Sequence, residues 1–140
     1  MSPQKPAAVS VSPPASDVVL DVVCLCAAWC GTCREYEATF KALQQAHPRH
    51  RYRWIDIEDE ADAIGDIDVE TFPTLMLAHA GRLLFAGPVL PRLGDAQRLL
   101  EVQQEVARAG GTLAVATSGL PADQHEAFSL LARQVAVGVA

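Results

Sequence analysis

The sequence lacks an excess of positive charge, and it also lacks long apolar runs. Eleven Lys and Arg residues against seventeen Asp and Glu residues give a formal net charge of −6 over 140 residues. No cationic surplus is therefore available to neutralise nucleic-acid phosphates. No stretch reaches the roughly 18 apolar residues that a membrane-spanning helix needs. We expect neither nucleic acid nor membrane among the partners.

A secretory signal is also missing from the first residues. Segment 1–16 contains four prolines and one lysine, with no apolar stretch before a small-residue cleavage site. Such a segment does not have the pattern of an export signal. We predict a flexible N-terminal arm at 1–16 and a cytoplasmic location.

Cysteine is absent everywhere except in one ten-residue segment. The four cysteines stand at 24, 26, 30 and 33. A secreted disulfide scaffold spreads its cysteines so that they join distant loops. A tight cluster instead indicates redox chemistry or a metal site.

Strand-like and helix-like patterns alternate along the chain, which predicts a single α/β domain at 17–110 with its first two strands parallel. Apolar and alternating runs predict strands, helical spacing predicts two long helices, and an acidic stretch predicts a short helix or turn. The predicted strands are 18–27, 51–57, 74–78 and 83–86, the long helices are 32–46 and 94–109, and the short helix or turn is 58–67.

The tail forms a C-terminal extension at 111–140. Segment 112–117 is strand-like, and 122–137 is helical with Phe128, Leu131 and Val135 on one stripe. This helix either covers the domain's own core or forms a dimer or partner surface. We predict a monomer, or a weak dimer through this helix.

Cys30 and Cys33 lie where the first predicted strand gives way to a helix. At a helix N-terminus, free backbone N–H groups and the helix dipole favour a thiolate, which is the reactive form of cysteine. Cys33, one turn further on, is more shielded. We predict that Cys30 attacks a substrate disulfide and that Cys33 resolves the mixed disulfide. The supporting residues of the site are Trp29, Gly31, Thr32 and Cys24.

A zinc site is the competing interpretation of the CxxC spacing. All four cysteines would then supply thiolates to one ion. Cys24 and Cys26, however, are two apart on a strand, so they project from one face among valines. The apolar strand supplies no turn residues for a zinc knuckle, and we expect no metal.

Segment 27–33, AAWCGTC, resembles the active site of the thioredoxin family. Segment 71–75, TFPTL, resembles the cis-proline loop of that family, in which the peptide before the proline is cis and faces the disulfide. By this resemblance, Pro73 shields the thiols, and the main chain of Phe72 or Thr71 pairs with the substrate chain.

The resemblance covers 18–109 and implies a fold as well as a site. The expected fold is a three-layer α/β/α sandwich around a mixed sheet of four to five strands. The expected chemistry is a redox-active Cys30–Cys33 disulfide that needs no other cofactor. Its expected partners are protein disulfide substrates and an external reductase.

Two positions depart from the family pattern. Typical thioredoxins bury an aspartate where this chain has Cys24, and they place a lysine at about the position of Trp54. The change removes an internal proton acceptor for Cys33. It predicts slower or more pH-dependent turnover unless water, Glu37 or another carboxylate substitutes. The Cys24 side chain is either a small buried hydrophobe or a third redox thiol, and Cys26 is interpreted as packing alone.

The sequence thus predicts a protein-disulfide reductase. The alternative is a thioredoxin-fold binding or scaffold module with a slow or vestigial dithiol, in which the acidic surface or the C-terminal helix engages a partner.

Overall fold

The apolar run before the cysteine motif forms the central strand of the sheet. The structure is a computed structural model, which describes residues 18–138, so the predicted arm at 1–16 lies outside the described residues. In chain order the elements are β1 (Asp21–Cys26), α1 (Gly31–Ala46), β2 (Arg51–Asp56), α2 (Ala61–Ile64), β3 (Thr74–His79), β4 (Arg82–Pro88), α3 (Leu93–Arg108), α4 (Val115–Ser118) and α5 (Ala122–Ala136).

Four strands form one mixed sheet in the order β2-β1-β3-β4. Strand β1 runs parallel to β2 and antiparallel to β3, and β3 and β4 form an antiparallel hairpin. All six residues of β1 are buried, as expected for a central strand with helices on both faces. The predicted α/β fold and the parallel first pair are confirmed.

Helices cover both faces of the sheet and divide its core in two. On the first face, α1 and α3 pack over Cys24, Cys26 and the apolar residues of β3. On the second face, α5 and the short α2 pack over Val23, Leu25 and Met76. These layers are the predicted three-layer sandwich.

The segment predicted as a strand at 112–117 is not one. It is an irregular connection that leads into the one-turn helix α4. Its backbone reaches the edge of the sheet at one place, where the Leu113 N–H and the Thr112 hydroxyl both donate to the Leu83 carbonyl, at 2.7 and 2.9 Å. A single anchoring point of this kind replaces the ladder of hydrogen bonds that a paired strand requires.

Helix α5 packs against the sheet of its own chain. Its buried side chains are Phe128, Leu131, Ala132 and Val135, which belong to the second half of the core. Its C-terminal end is tied down by Arg51, whose guanidinium donates to the Val135 carbonyl at 2.8 Å and to the Asp21 carboxylate at 2.6 Å. Of the two interpretations of this helix, core cover is the one that the structure shows.

Shortening an α5 side chain that faces the sheet should therefore destabilise the whole domain. Leu131 is 1 % exposed and its neighbour Leu130 is 47 % exposed. We expect Leu131→Ala to lower the free energy of unfolding by about 2–5 kcal/mol, because it leaves a cavity in the core. The matched variant Leu130→Ala should change it by less than about 0.5 kcal/mol. Urea denaturation monitored by circular dichroism measures both, and equal effects would show that α5 does not cover the core.

Candidate functional site

The cysteine motif lies at the turn between β1 and α1. Strand β1 ends at Cys26, the Cys30 N–H donates to the Ala27 carbonyl at 3.0 Å, and α1 begins at Gly31. Cys30 occupies the N-cap position with extended backbone and makes no side-chain capping hydrogen bond. Its thiol is half-buried, whereas Cys33 is 1 % exposed. The predicted contrast between an accessible Cys30 and a shielded Cys33 is present.

The disulfide in the structure differs from the expected one. It joins Cys26 to Cys33, with Cα atoms 5.7 Å apart, and it leaves Cys30 as a free thiol. In this structure Cys33 is therefore not bonded to Cys30, and the expectation that Cys26 serves packing alone is wrong. The physical reason is the position of Cys26 at the end of β1, where its side chain points towards α1 and meets Cys33 on the first turn of that helix.

Cys24 lies deeper along the same face of β1. Its Sγ is 3.8 Å from the Cys26 Sγ, and the residue is fully buried. Burial raises the pKa of the Cys24 thiol, because a thiolate there would be desolvated. Cys26, rather than Cys24, is the strand cysteine that is bonded to Cys33. With Cys26 and Cys33 bonded to each other, two of the four ligands that a zinc site would need are already committed.

Around Cys24, apolar and aromatic side chains stand where a typical thioredoxin has an acid–base pair. Cys24 is in register with Trp54 on the parallel neighbour β2, and Trp54 packs edge-on against Phe40 with ring centroids 5.7 Å apart. The sequence-based placement of Trp54 beside Cys24 is therefore right.

Carboxylates approach Cys33 from the solvent side instead. A cavity of about 230 Å³ is lined by Cys33, Trp54, Glu37 and Asp56, among others, and it is large enough to admit water. The Asp59 and Glu58 N–H groups both donate to the Asp56 carboxylate, which holds the pKa of Asp56 below its usual value. Glu37, on the exposed face of α1, lines the same cavity as Cys33.

Two aromatic rings form an apolar rim beside Cys30. Trp29 is 63 % exposed, and its ring meets that of Phe72 edge-on at a centroid distance of 5.6 Å. The indole N–H of Trp29 donates to the Glu58 carboxylate at 3.1 Å, which holds the exposed ring in place. The Phe72–Pro73 peptide bond is cis, and Pro73 is buried. Of the predicted proline loop, Phe72 thus lies beside the cysteine motif.

Thr71 faces away from this rim. Its carbonyl accepts a hydrogen bond from the Thr74 hydroxyl at 2.6 Å, so one of its lone pairs is occupied and Phe72 is the better candidate for pairing with a substrate chain. Thr71 also lines a cavity of about 480 Å³, together with residues of α5 such as Gln124. That cavity is lined by no cysteine.

The family model described as Thioredoxin matches residues 10–87, which is more than half of the chain. The chain belongs to the thioredoxin family. Its membership agrees with the motif, the proline loop and the sheet order described above, and it supports thiol–disulfide chemistry in general.

Solved thioredoxins share the fold of this thioredoxin-family chain at low sequence identity. The germline-specific thioredoxin Deadhead of Drosophila melanogaster is 24 % identical, with a TM-score of 0.54 over 63 % of this chain and 84 % of its own. Fasciola hepatica thioredoxin is 21 % identical, with a TM-score of 0.55 over 61 % and 81 %. Mitochondrial thioredoxin 3 of Saccharomyces cerevisiae is 22 % identical, with a TM-score of 0.53 over 63 % and 82 %. No curated protein matches the chain.

Sequence reasoning missed two residues of the site. From the sequence, Cys26 is interpreted as packing alone. Two features of the sequence indicate a larger role: Cys26 directly precedes the motif, and it projects from the same face of the strand as Cys24, two residues earlier. Glu58, which holds the Trp29 indole, carries no signal in the sequence, because 29 residues separate the two.

Among residues 18–138, no group of three or more His, Cys, Asp and Glu side chains is arranged to hold a metal ion, and no helix is long and apolar enough to cross a bilayer.

The burial of Cys24 has a direct chemical consequence. In the fully reduced native protein we expect iodoacetamide to label Cys30 to completion while Cys24 stays unmodified, because only the thiolate is alkylated and the raised pKa of Cys24 suppresses that form. Peptide mass spectrometry after timed quenching measures the labelling. The control is the same protein in guanidinium chloride, in which both thiols should react. Equal labelling of the two in the native state would contradict the burial.

Proposed function

We propose that this protein is a dithiol reductase of protein disulfides, with Cys30 as the nucleophile and Cys33 as the resolving cysteine. The observation that carries the proposal is the place of Cys30. It is an accessible free thiol at the N-terminus of the sixteen-residue helix α1, beside an exposed tryptophan, with a disulfide-competent Cys33 on the first turn.

The reaction starts from the reduced pair. The Cys30 thiolate attacks one sulfur of a substrate disulfide, and the other sulfur leaves as a thiolate. Cys33 then loses its proton and attacks the Cys30 sulfur, which releases the reduced substrate and forms the Cys30–Cys33 disulfide. An external reductase returns both sulfurs to thiols, so no further cofactor is needed.

The rim formed by Trp29 and Phe72 supplies a docking surface for an extended substrate chain. Exposed aromatic side chains are favoured at protein contacts because they bury much area at a low entropy cost. The main chain of Phe72, next to Pro73, is the proposed pairing site for that chain. We propose that the protein works in the cytoplasm, as a monomer or weak dimer.

A binding or scaffold module is the second candidate, and one observation favours it. In the structure Cys33 is bonded to Cys26, so the resolving thiol is not available to Cys30 in that state. A chain that remained in this form would hold partners by contact or through Cys30 alone.

Two substitutions separate these functions. Cys30→Ser should reduce the rate of insulin reduction to background, because the attacking sulfur is lost. Cys33→Ser should accumulate mixed disulfides with protein substrates, because the resolving sulfur is lost. Turbidity measures the first, and non-reducing electrophoresis of the Cys33→Ser protein after incubation with disulfide-bonded substrates measures the second. Full insulin reduction by Cys30→Ser would refute the assignment of the nucleophile.

The missing buried acid predicts a role for Glu37. We expect Glu37→Gln to slow resolution by Cys33 by up to about 10²-fold, because a positioned base is replaced by water, and to displace activity towards higher pH. The pH profile of insulin reduction with a saturating reductant measures both changes. Glu35→Gln is the matched control, since Glu35 is equally exposed on the same helix but does not line the cavity beside Cys33. Identical profiles for the two variants would remove Glu37 from the proton path.

A further inference from the structure

Three of the four cysteines meet at the junction of β1 and α1. Cys33 is bonded to Cys26 from the strand side, and the motif spacing places Cys30 one helical turn away from it on the solvent side. Cys26 is 1 % exposed and belongs to the same half of the core as Cys33. Cys33 therefore has two possible disulfide partners, one at the surface and one in the interior.

We infer that Cys26 is a third redox cysteine, which takes Cys33 from Cys30 and so converts the oxidised protein into an isomer with a buried disulfide and a free nucleophile. The inference rests on the proposed function at one point only, because reduction of a substrate is the reaction that forms the initial Cys30–Cys33 disulfide. The resemblance to the thioredoxin family assigns no redox role to the residue at position 26.

The exchange is balanced within the protein. The sulfur of Cys26, as a thiolate, forms a bond to the Cys33 sulfur, and the Cys30–Cys33 bond breaks with its electron pair leaving on Cys30. The proton lost by Cys26 is regained at Cys30. Both isomers hold one disulfide, and the two electrons involved were already given to the substrate disulfide. No further oxidant is required.

The two isomers differ in what they expose. In the Cys30–Cys33 form an incoming thiol can attack the half-buried Cys30 sulfur. In the Cys26–Cys33 form both bonded sulfurs are almost fully buried, so an external thiol has poor access to the bond. Cys30 is then a lone accessible thiol. Its exchange with oxidised glutathione forms a Cys30–glutathione disulfide and releases one reduced glutathione, and this adduct persists because Cys33 is not free to displace it.

Cys24 provides the matched comparison for Cys26. It projects from the same face of the same strand, is equally buried, and lies 3.8 Å from the Cys26 sulfur. It is nevertheless one side chain further from α1, and Cys33 is bonded to Cys26 rather than to Cys24. Replacing either cysteine by alanine removes a sulfur of the same size from the same environment, so a difference between the variants reports on exchange with Cys33 rather than on packing.

Disulfide mapping of the full chain tests the inference. The protein is equilibrated in glutathione buffers of graded ratio, quenched with acid, alkylated with N-ethylmaleimide in denaturant and digested with chymotrypsin. Cleavage after Leu25, Trp29 and Tyr36 separates Cys24 and Cys26 from each other and from the peptide that holds Cys30 and Cys33. A Cys26–Cys33 bond then joins two peptides, whereas a Cys30–Cys33 bond closes a loop within one.

In the wild-type protein with one disulfide, we expect the joined peptides with Cys30 alkylated or carrying glutathione. Cys24→Ala should retain them. Cys26→Ala should lose them, retain the closed loop, and lose Cys30 labelling to background. If the wild-type protein gives only the closed loop at every buffer ratio, the inference is overturned, and this result needs no variant to fold.

The same samples keep the inference separate from the proposed function. Insulin reduction by Cys26→Ala that equals the wild-type rate, together with loss of the joined peptides, supports both. Joined peptides in a wild-type protein that does not reduce insulin would support the exchange and refute the reductase. A wild-type protein that reduces insulin but gives no joined peptides would refute the exchange alone.

Discussion

The burial of strand β1 between two helical layers is the constraint on which the rest of the molecule depends. All six of its residues are buried, and it pairs with β2 on one side and β3 on the other. Its alternate side chains contribute to both halves of the core. Because the strand ends at Cys26 and α1 begins five residues later, the packing that fixes β1 also fixes the turn that carries Cys30 and the face from which Cys26 meets Cys33.

Much of this arrangement follows from the sequence, because its causes are local or periodic. An apolar β-branched run of the type found in β1 is stable only when covered on both faces, and the helical stripe of Phe128, Leu131 and Val135 identifies the side of α5 that packs. The place of Cys30 at a helix N-terminus follows in the same way. The absence of a strand at 112–117, beside Leu83, is harder to predict, because this segment has strand-like composition and its hydrogen bonding depends on partners that are distant in the sequence.

The pairing of Cys33 was beyond sequence reasoning for a geometric reason. Strand period places Cys24 and Cys26 on one face, but the distance from that face to the first turn of α1 depends on how closely the helix packs against the sheet. Because Cys30 is only three residues from Cys33, the sequence favours Cys30 as the disulfide partner of Cys33. The structure shows that Cys33 is bonded to Cys26, seven positions earlier. The contact between Trp29 and Glu58 is likewise not predictable from the sequence, because 29 residues separate the two.

Replacing a buried acid by thiols changes what the interior of this site can do. A buried carboxylate moves protons but does not bond to sulfur, and it carries a desolvation cost when ionised. A thiol at Cys24 adds little to that cost while it stays protonated, and one at Cys26 forms a bond that is apolar and needs no hydrogen-bond partner. The carboxylates of Glu37 and Asp56 instead line a cavity beside Trp54 that is large enough to admit water. The core beneath the motif loses an acid–base group and gains a place in which a disulfide is held away from solvent.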